Sequence, residues 1–137
     1  MNSLEGKRVL IVDDATIIRL MLKKMLGKYG IVVAGEAVDG EEAIRMFDAL
    51  APDFVTMDIT MPNLDGISAT RAIIKKHPKA RIIMVSALGQ ERKVKEAISA
   101  GALDFIVKPL KEERLISSVR RVIIGVPEQK PTARSQS

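Results

Sequence analysis

Short apolar runs alternate along this chain with longer stretches of helical periodicity, and four of the runs stop at a chemically reactive polar residue. The four runs, each with the residue that ends it, are 9–12 with Asp13, 54–57 with Asp58, 82–85 with Ser86, and 105–107 with Lys108. Such alternation is typical of repeated βαβ units around a parallel sheet. Because the carboxyl ends of parallel strands share one edge, where ligands bind, we expect these polar side chains to meet there.

The alternation predicts a doubly wound α/β fold with helices on both faces of the sheet. The runs 9–12 and 82–85 are apolar throughout, as expected for strands that are covered on both sides. Asp39 and Asp65 are predicted to cap the second and third helices. The predicted strands are 7–13, 31–37, 53–58, 81–86 and 103–108, and the predicted helices are 14–28, 40–50, 65–77, 90–100 and 111–124.

Length and composition favour one domain, residues 1–124, followed by a flexible tail or linker remnant, residues 125–137, which has little to bury. No apolar run approaches the roughly 18 residues that suggest a membrane span. The N-terminus lacks the charged and apolar regions of a signal peptide. The chain has no cysteine, so disulfides and thiolate metal sites are excluded. These features predict a cytoplasmic protein that does not associate with membranes.

A net charge of +5 and a pI near 9.6 raise the question of nucleic-acid binding. The basic residues, however, are scattered over several predicted helices, and the chain has one Tyr, three Phe and no Trp. Base-stacking platforms are therefore scarce. We expect a solvated basic surface and no direct contact with nucleic acid.

The polar residues at the strand ends suit a phosphoryl group and a divalent cation. Asp58 is the predicted nucleophile, because a carboxylate can attack a phosphoryl donor once the charge of the phosphoryl oxygens is neutralised. Asp13 and Asp14 are placed to bind Mg²⁺, and the backbone carbonyl of Thr60 could add a further oxygen ligand. Lys108 would pair with one phosphoryl oxygen.

Ser86 would donate its hydroxyl hydrogen bond to another phosphoryl oxygen. Each of these residues also has a plainer interpretation. Asp14 could cap the helix 14–28, and Asp58 could shape the turn before Met61. Ser86 could bond its own backbone, and Lys108 could be a solvated lysine before a proline turn. The functional interpretation is favoured because all four positions fall at the ends of separate strands.

The segments 9–14, 57–66, 85–87 and 100–109 resemble response-regulator receiver domains of the CheY-like type, and the resemblance covers residues 7–124. It implies a flavodoxin-like (βα)5 sandwich with strand order 2-1-3-4-5. It also implies that Asp58 takes a phosphoryl group from a histidine kinase, with Mg²⁺ held by Asp13, Asp14 and Asp58 and by the Thr60 carbonyl. The peptide between Lys108 and Pro109 would be cis.

The resemblance further implies a switch in which Ser86 moves inward, Phe105 fills the vacated space, and residues 90–124 form the output face. The strings 55–62 and 86–90 are similar to chemotaxis CheY proteins. The partners implied are a CheA-like kinase, a flagellar motor switch protein and a separate phosphatase, with the protein itself a monomer. The alternative is a receiver cut from a DNA-binding regulator or a chemotaxis methylesterase. Thr60 and Leu88 occupy positions that tune phosphoryl lifetime, and Leu88 predicts slow self-dephosphorylation.

Other classes that use this fold or chemistry fit less well. A haloacid dehalogenase-type phosphatase would need a second acid two residues after Asp58, where this chain has Thr60. A flavodoxin would place phosphate beside Asp13 and Asp14, which would repel it. No G-x-G-x-x-G follows a predicted strand, so a dinucleotide-binding enzyme is not supported.

Overall fold

A computed structural model describes residues 4–125, over which five strands and five helices alternate. The strands are β1 (Arg8–Val12), β2 (Val32–Ala37), β3 (Phe54–Asp58), β4 (Ile82–Ser86) and β5 (Asp104–Val107). The helices are α1 (Thr16–Gly27), α2 (Gly40–Leu50), α3 (Gly66–Lys76), α4 (Glu91–Ser99) and α5 (Glu112–Ile124). All ten predicted elements are present, with ends that differ from the prediction by two residues at most.

The strands form one parallel sheet in the order β2-β1-β3-β4-β5, which confirms the predicted topology. The chain moves outward from β1 to β2 and then returns to the other side of β1 as β3. This reversal opens a crevice at the carboxyl ends of β1 and β3. The register pairs Val12 with Met57, and Asp58 with Val85, so the residues that follow β1 lie beside the end of β3.

The core has two layers, one on each face of the sheet. One layer packs α2, α3 and α4 against residues such as Leu10 and Met57, and the other packs α1 and α5 against Val9 and Phe54. Every residue of β3 and β4 is buried. The central strands therefore show no alternation of apolar and polar residues, because both of their faces are covered.

Side-chain caps account for two of the five helix starts within residues 4–125, and one predicted cap is corrected. Asp39 and Asp65 cap α2 and α3 as predicted, accepting hydrogen bonds from the backbone N–H groups of Glu42 and Ser68. The interpretation of Asp14 as the cap of α1 is wrong. That helix begins at Thr16 after an extended Ala15 whose side chain makes no capping hydrogen bond, which leaves the Asp14 carboxylate for other partners.

The predicted tail of residues 125–137 lies, apart from Gly125, outside the described residues, so its separation from the domain stays a prediction. Over residues 4–125, none of the helices has the length and apolar character required to traverse a bilayer.

Candidate functional site

Three carboxylates meet at the carboxyl edge of the sheet. Asp13 directly follows β1, Asp14 comes next, and Asp58 is the last residue of β3. Each offers an oxygen, and these oxygens all lie within 4.8 Å of one another. Asp13 is 1% exposed and Asp58 is 5% exposed, whereas Asp14 is open to solvent. Two of the three carboxylates are thus shielded from water while they remain close together, and this arrangement favours binding of a cation.

Lys108, from the end of β5, supplies one positive charge to this cluster. Its Nζ lies 3.4 Å from Asp13 Oδ2 and 3.5 Å from Asp58 Oδ1. Its backbone N–H donates to the Ser86 carbonyl, and the Lys108–Pro109 peptide is cis as expected. The side chain is 24% exposed, so the interpretation of Lys108 as a freely solvated lysine is wrong.

The single ammonium does not compensate the carboxylates. The pKa of Asp58 is raised to about 6, first by burial and then by the neighbouring Asp13 charge, while Lys108 acts in the opposite direction. Asp13 Oδ1 accepts a hydrogen bond from the Ala15 N–H, but Oδ2 is buried and has no hydrogen-bond partner among residues 4–125. Lys108 is its nearest cation, yet the contact does not have hydrogen-bond geometry. A buried carboxylate oxygen without a partner beside two more carboxylates matches the oxygen-donor preference of Mg²⁺.

The loop that follows β3 and the loop between β4 and α4 lie next to the carboxylate cluster and contact each other. Thr60, two residues after Asp58, is exposed, and its Oγ1 accepts a hydrogen bond from Gln90 Nε2 at 2.7 Å. Leu88, in the loop between β4 and α4, is 79% exposed. The sequence interpretation missed Gln90. Its position directly before α4 was the one available signal, because glutamine is not among the preferred N-cap residues and its side chain can therefore bond elsewhere.

Ser86 ends β4 and pairs with Val107 of β5, two residues after Phe105 in the same strand. The serine is 1% exposed, and its Oγ donates a long hydrogen bond of 3.5 Å to the Ile106 carbonyl. Its partner is therefore the adjacent strand rather than its own backbone. Phe105 is half-buried and lines a cavity of about 290 Å³. Arg114 of α5 donates to the Phe105 carbonyl at 2.7 Å, a contact that the sequence did not reveal.

Gly66 brings the start of α3 against the Asp58 backbone. A Cβ added at Gly66 would lie 1.9 Å from the Asp58 carbonyl oxygen. The Gly66 N–H also donates to the Ile59 carbonyl at 2.8 Å. The lack of a side chain at Gly66 therefore allows α3 to begin directly against the end of β3.

The five predicted chemical groups are therefore together or adjacent: Asp13, Asp14, Asp58, Ser86 and Lys108. Their arrangement places three carboxylates that could hold a cation beside an ammonium group, with the Ser86 hydroxyl at the end of the adjacent strand. Such a set can hold a phosphoryl group on a carboxylate while its charge is neutralised.

Comparison with known proteins agrees with this geometry. The family model described as the response regulator receiver domain matches residues 9–120. Among curated proteins, the chain is 54% identical over 117 residues to chemotaxis protein CheY of Thermotoga maritima, covering 85% of this chain and 98% of the relative.

Among solved structures, CheY in the CheX-CheY-BeF3-Mg+2 complex of Borrelia burgdorferi matches with a TM-score of 0.82 and 39% identity, covering 86% of this chain and 90% of that one. The response regulator domain of Thermotoga maritima CheB matches with a TM-score of 0.80 and 40% identity, covering 88% and 98%.

Proposed function

The chain belongs to the response regulator receiver domain family, and on that premise we propose that Asp58 accepts a phosphoryl group from a histidine kinase. As a CheY-like signalling domain, the protein is a phosphoacceptor rather than an enzyme that turns over a substrate. The observation that carries the proposal is the buried Asp58 beside Asp13, with Lys108 Nζ within 3.5 Å of both carboxylates. This arrangement concentrates the groups that phosphoryl transfer to a carboxylate requires.

In the proposed reaction, a carboxylate oxygen of Asp58 attacks the phosphorus of phosphohistidine. The new O–P bond makes an acyl phosphate, and the P–N bond breaks so that its electron pair returns to the donor imidazole. Lys108 pairs with an oxygen of the transferred group, and the Ser86 hydroxyl donates to another.

Mg²⁺ fits the site because Asp13 Oδ2 is a buried acceptor without a hydrogen-bond partner. Asp13, Asp14 and Asp58 would hold the ion with the Thr60 carbonyl as a further ligand, and when bound it would neutralise charge on the phosphoryl oxygens. The chain's own contribution is to keep these oxygens converged and partly desolvated.

The proposed switch starts at Ser86. Its hydroxyl has only a long bond to the Ile106 carbonyl, so it is free to turn toward a phosphorylated Asp58 at small cost. Phe105 would then occupy the space that Ser86 leaves, changing the face formed by α4, β5 and α5. A local charge change would in this way be read out at a distant surface.

We assign the output to chemotaxis, with a CheA-like kinase as donor and a flagellar motor switch protein as target. The 54% identity to a chemotaxis CheY supports this assignment. The likeness to the CheB receiver supports the alternative, a receiver module of a larger regulator. Binding of the phosphorylated protein, but not of Asp58→Asn, to an isolated motor switch protein favours the first; absence of binding favours the second. The predicted monomer and cytoplasmic location stay predictions.

We expect slow self-dephosphorylation. The exposed Leu88 side chain offers no hydrogen bond to an attacking water, and the Thr60 hydroxyl already accepts from Gln90. Leu88→Glu should shorten the lifetime of the acyl phosphate, followed as loss of the phosphoryl mass with time. Equal decay of the two proteins would contradict this role for Leu88.

The central test is the intact mass after incubation with acetyl phosphate and Mg²⁺. The wild type should gain one phosphoryl group, and Asp58→Asn should gain none. EDTA should block the gain in the wild type. Labelling that persists in Asp58→Asn, or no labelling under any condition, would overturn the proposed function.

A further inference from the structure

The side chain of Gln90 joins the two loops that frame Asp58. Its Oε1 accepts from the Ala87 backbone N–H at 2.6 Å, and its Nε2 donates to Thr60 Oγ1 at 2.7 Å. Ala87 directly follows Ser86, and Thr60 lies two residues beyond Asp58. One amide therefore spans the mouth of the site.

Helix capping does not account for this arrangement. Gln90 occupies the N-cap position of α4, yet its side chain makes no capping hydrogen bond to the helix. It turns back instead toward the preceding loop. Gly89, with φ of +94° and open space around its α-carbon, gives that loop a backbone conformation that side chains rarely tolerate. The turn from Ala87 to Gln90 is thus closed by the Gln90 side chain as well as by the Gln90 backbone N–H, which donates to the Ala87 carbonyl at 3.1 Å.

In the same structure that contains these two Gln90 hydrogen bonds, the Ser86 hydroxyl donates to the Ile106 carbonyl rather than to Asp58. We call this arrangement the resting conformation. The two Gln90 hydrogen bonds also use polar groups that flank the space above Asp58. While Gln90 Oε1 accepts from Ala87, that N–H is not available to a phosphoryl oxygen, because a backbone N–H offers one hydrogen. A group with three anionic oxygens on Asp58 competes with Gln90 for this donor.

We propose that Gln90 is a positioning residue that latches the loop between β4 and α4 in the resting conformation and is released when Asp58 is phosphorylated. The inference rests on the proposed function, since the latch acts only on a site that takes a phosphoryl group. A net stabilisation from each neutral hydrogen bond shifts an equilibrium by a few-fold. Loss of the latch should therefore tighten binding of a phosphoryl mimic by roughly three- to tenfold.

The test uses beryllofluoride together with Mg²⁺. The beryllium is surrounded tetrahedrally by three fluorides and one carboxylate oxygen, so the adduct mimics a phosphoryl group on a carboxylate. The affinity for beryllofluoride is measured from the amide NMR signals of the β4–α4 loop in the wild type, Gln90→Ala and Gln90→Met. Methionine keeps the length of glutamine without its hydrogen bonds, so both variants should bind more tightly. Gln90→Asn, one methylene shorter, cannot make both contacts and should behave like alanine. Ser99→Ala, an exposed change at the other end of α4, should bind as the wild type does.

Thr60→Val closes a double-mutant cycle. If Gln90 acts by bridging to Thr60, the double variant should bind no more tightly than Gln90→Ala alone. Unchanged melting temperatures across the set would show that the affinities report on the latch rather than on global unfolding.

The outcomes separate the two proposals. Equal affinity in the wild type and all Gln90 variants, or weaker binding after loss of the amide, overturns the latch while leaving phosphorylation of Asp58 intact. Absence of beryllofluoride binding in the wild type overturns the proposed function and the latch with it. If the effects of Gln90→Ala and Thr60→Val on affinity simply add in the double variant, Gln90 does not act through Thr60, and the latch as described is also overturned.

Discussion

Replacing Gly66 by alanine should damage both the fold and the site, because the new methyl group would meet backbone rather than a movable side chain. The added Cβ would lie 1.9 Å from the Asp58 carbonyl oxygen and 3.0 Å from Met57 Cγ. Carbon and carbonyl oxygen ordinarily approach no closer than about 3.3 Å. The start of α3 or the end of β3 must therefore move by about 1.4 Å relative to the other.

The size of the effect follows from two opposing contributions. Overpacking of a well-packed region costs about 1–3 kcal/mol, and a rigid backbone contact belongs at the upper end. Alanine recovers about 0.4–1 kcal/mol by restricting the unfolded chain. The net loss is about 2 kcal/mol, which for a domain of this size lowers the melting temperature by about 6–10 °C. Because the moving atom belongs to Asp58, labelling by acetyl phosphate should slow by about tenfold or more.

Gly27→Ala is the matched control. Gly27 is the last residue of α1, and a Cβ there would meet nothing within 4 Å. That variant should be stabilised by about 0.5–1 kcal/mol and should label at the wild-type rate. Urea unfolding gives the stabilities, and intact mass at a temperature where all three proteins are folded gives the rates. If Gly66→Ala matched the wild type in both measurements, the close approach of α3 to Asp58 would not constrain the site.

Lys108→Met keeps the side-chain length but removes the ammonium between two carboxylates. The initial rate of labelling by acetyl phosphate should therefore fall by about 100-fold or more. A loss below threefold would contradict the role assigned to Lys108. Thr56 Oγ1 is buried and has no hydrogen-bond partner in the described part of the chain. Thr56→Val should therefore raise the free energy of unfolding in urea by about 1 kcal/mol, and no gain would show that the hydroxyl has a partner. Hydrogen bonds from Lys23 and then Arg19 hold the pKa of Glu36 below its ordinary value of 4.5, against the opposing effect of burial. Because this folded-state pKa is depressed, the carboxylate stabilises the fold above pH 4.5 and the contribution fades as the pH falls through the folded-state value. The stability gap between wild type and Glu36→Gln should thus be present at neutral pH and close under acid, and an unchanged gap would refute the argument.

The fold and the position of the site could be predicted because both depend on local signals. A run such as 82–85 is apolar on both faces, which indicates a covered parallel strand, and the next residue must then lie at the carboxyl edge. That rule alone brought Asp13, Asp58 and Lys108 together without any knowledge of register. The caps at Asp39 and Asp65 were equally accessible, since a cap acts on backbone three residues away.

What escaped prediction depends on distances between segments far apart in the chain. The bridge from Gln90 to Thr60 joins residues 30 positions apart, and its existence depends on how two loops sit after folding. The approach of Gly66 to the Asp58 carbonyl depends in the same way on the entry of α3. The start of α1 was misjudged because Asp13 Oδ1, not a residue at the predicted start, accepts the Ala15 N–H. In each case the residue type was compatible with more than one hydrogen-bond or packing partner, and the tertiary packing determined which partner it has.

The edge that carries the chemistry is built differently from the core that supports it. The sheet places Asp13 and Asp58 where water is largely excluded, so each charge loses solvation that Lys108, 3.4–3.5 Å away, only partly restores. Burial and then the Asp13 charge raise the pKa of Asp58 to about 6, and within residues 4–125 Asp13 Oδ2 has no hydrogen-bond partner. The two apolar layers on either face of the sheet must hold this arrangement against its own repulsion. Under the proposed function, a cation, and then a phosphoryl group paired with Lys108 and Ser86, would compensate the charge of these carboxylates. We therefore expect the uncompensated charge at this edge to supply the free energy with which a bound phosphoryl group would shift the neighbouring loops.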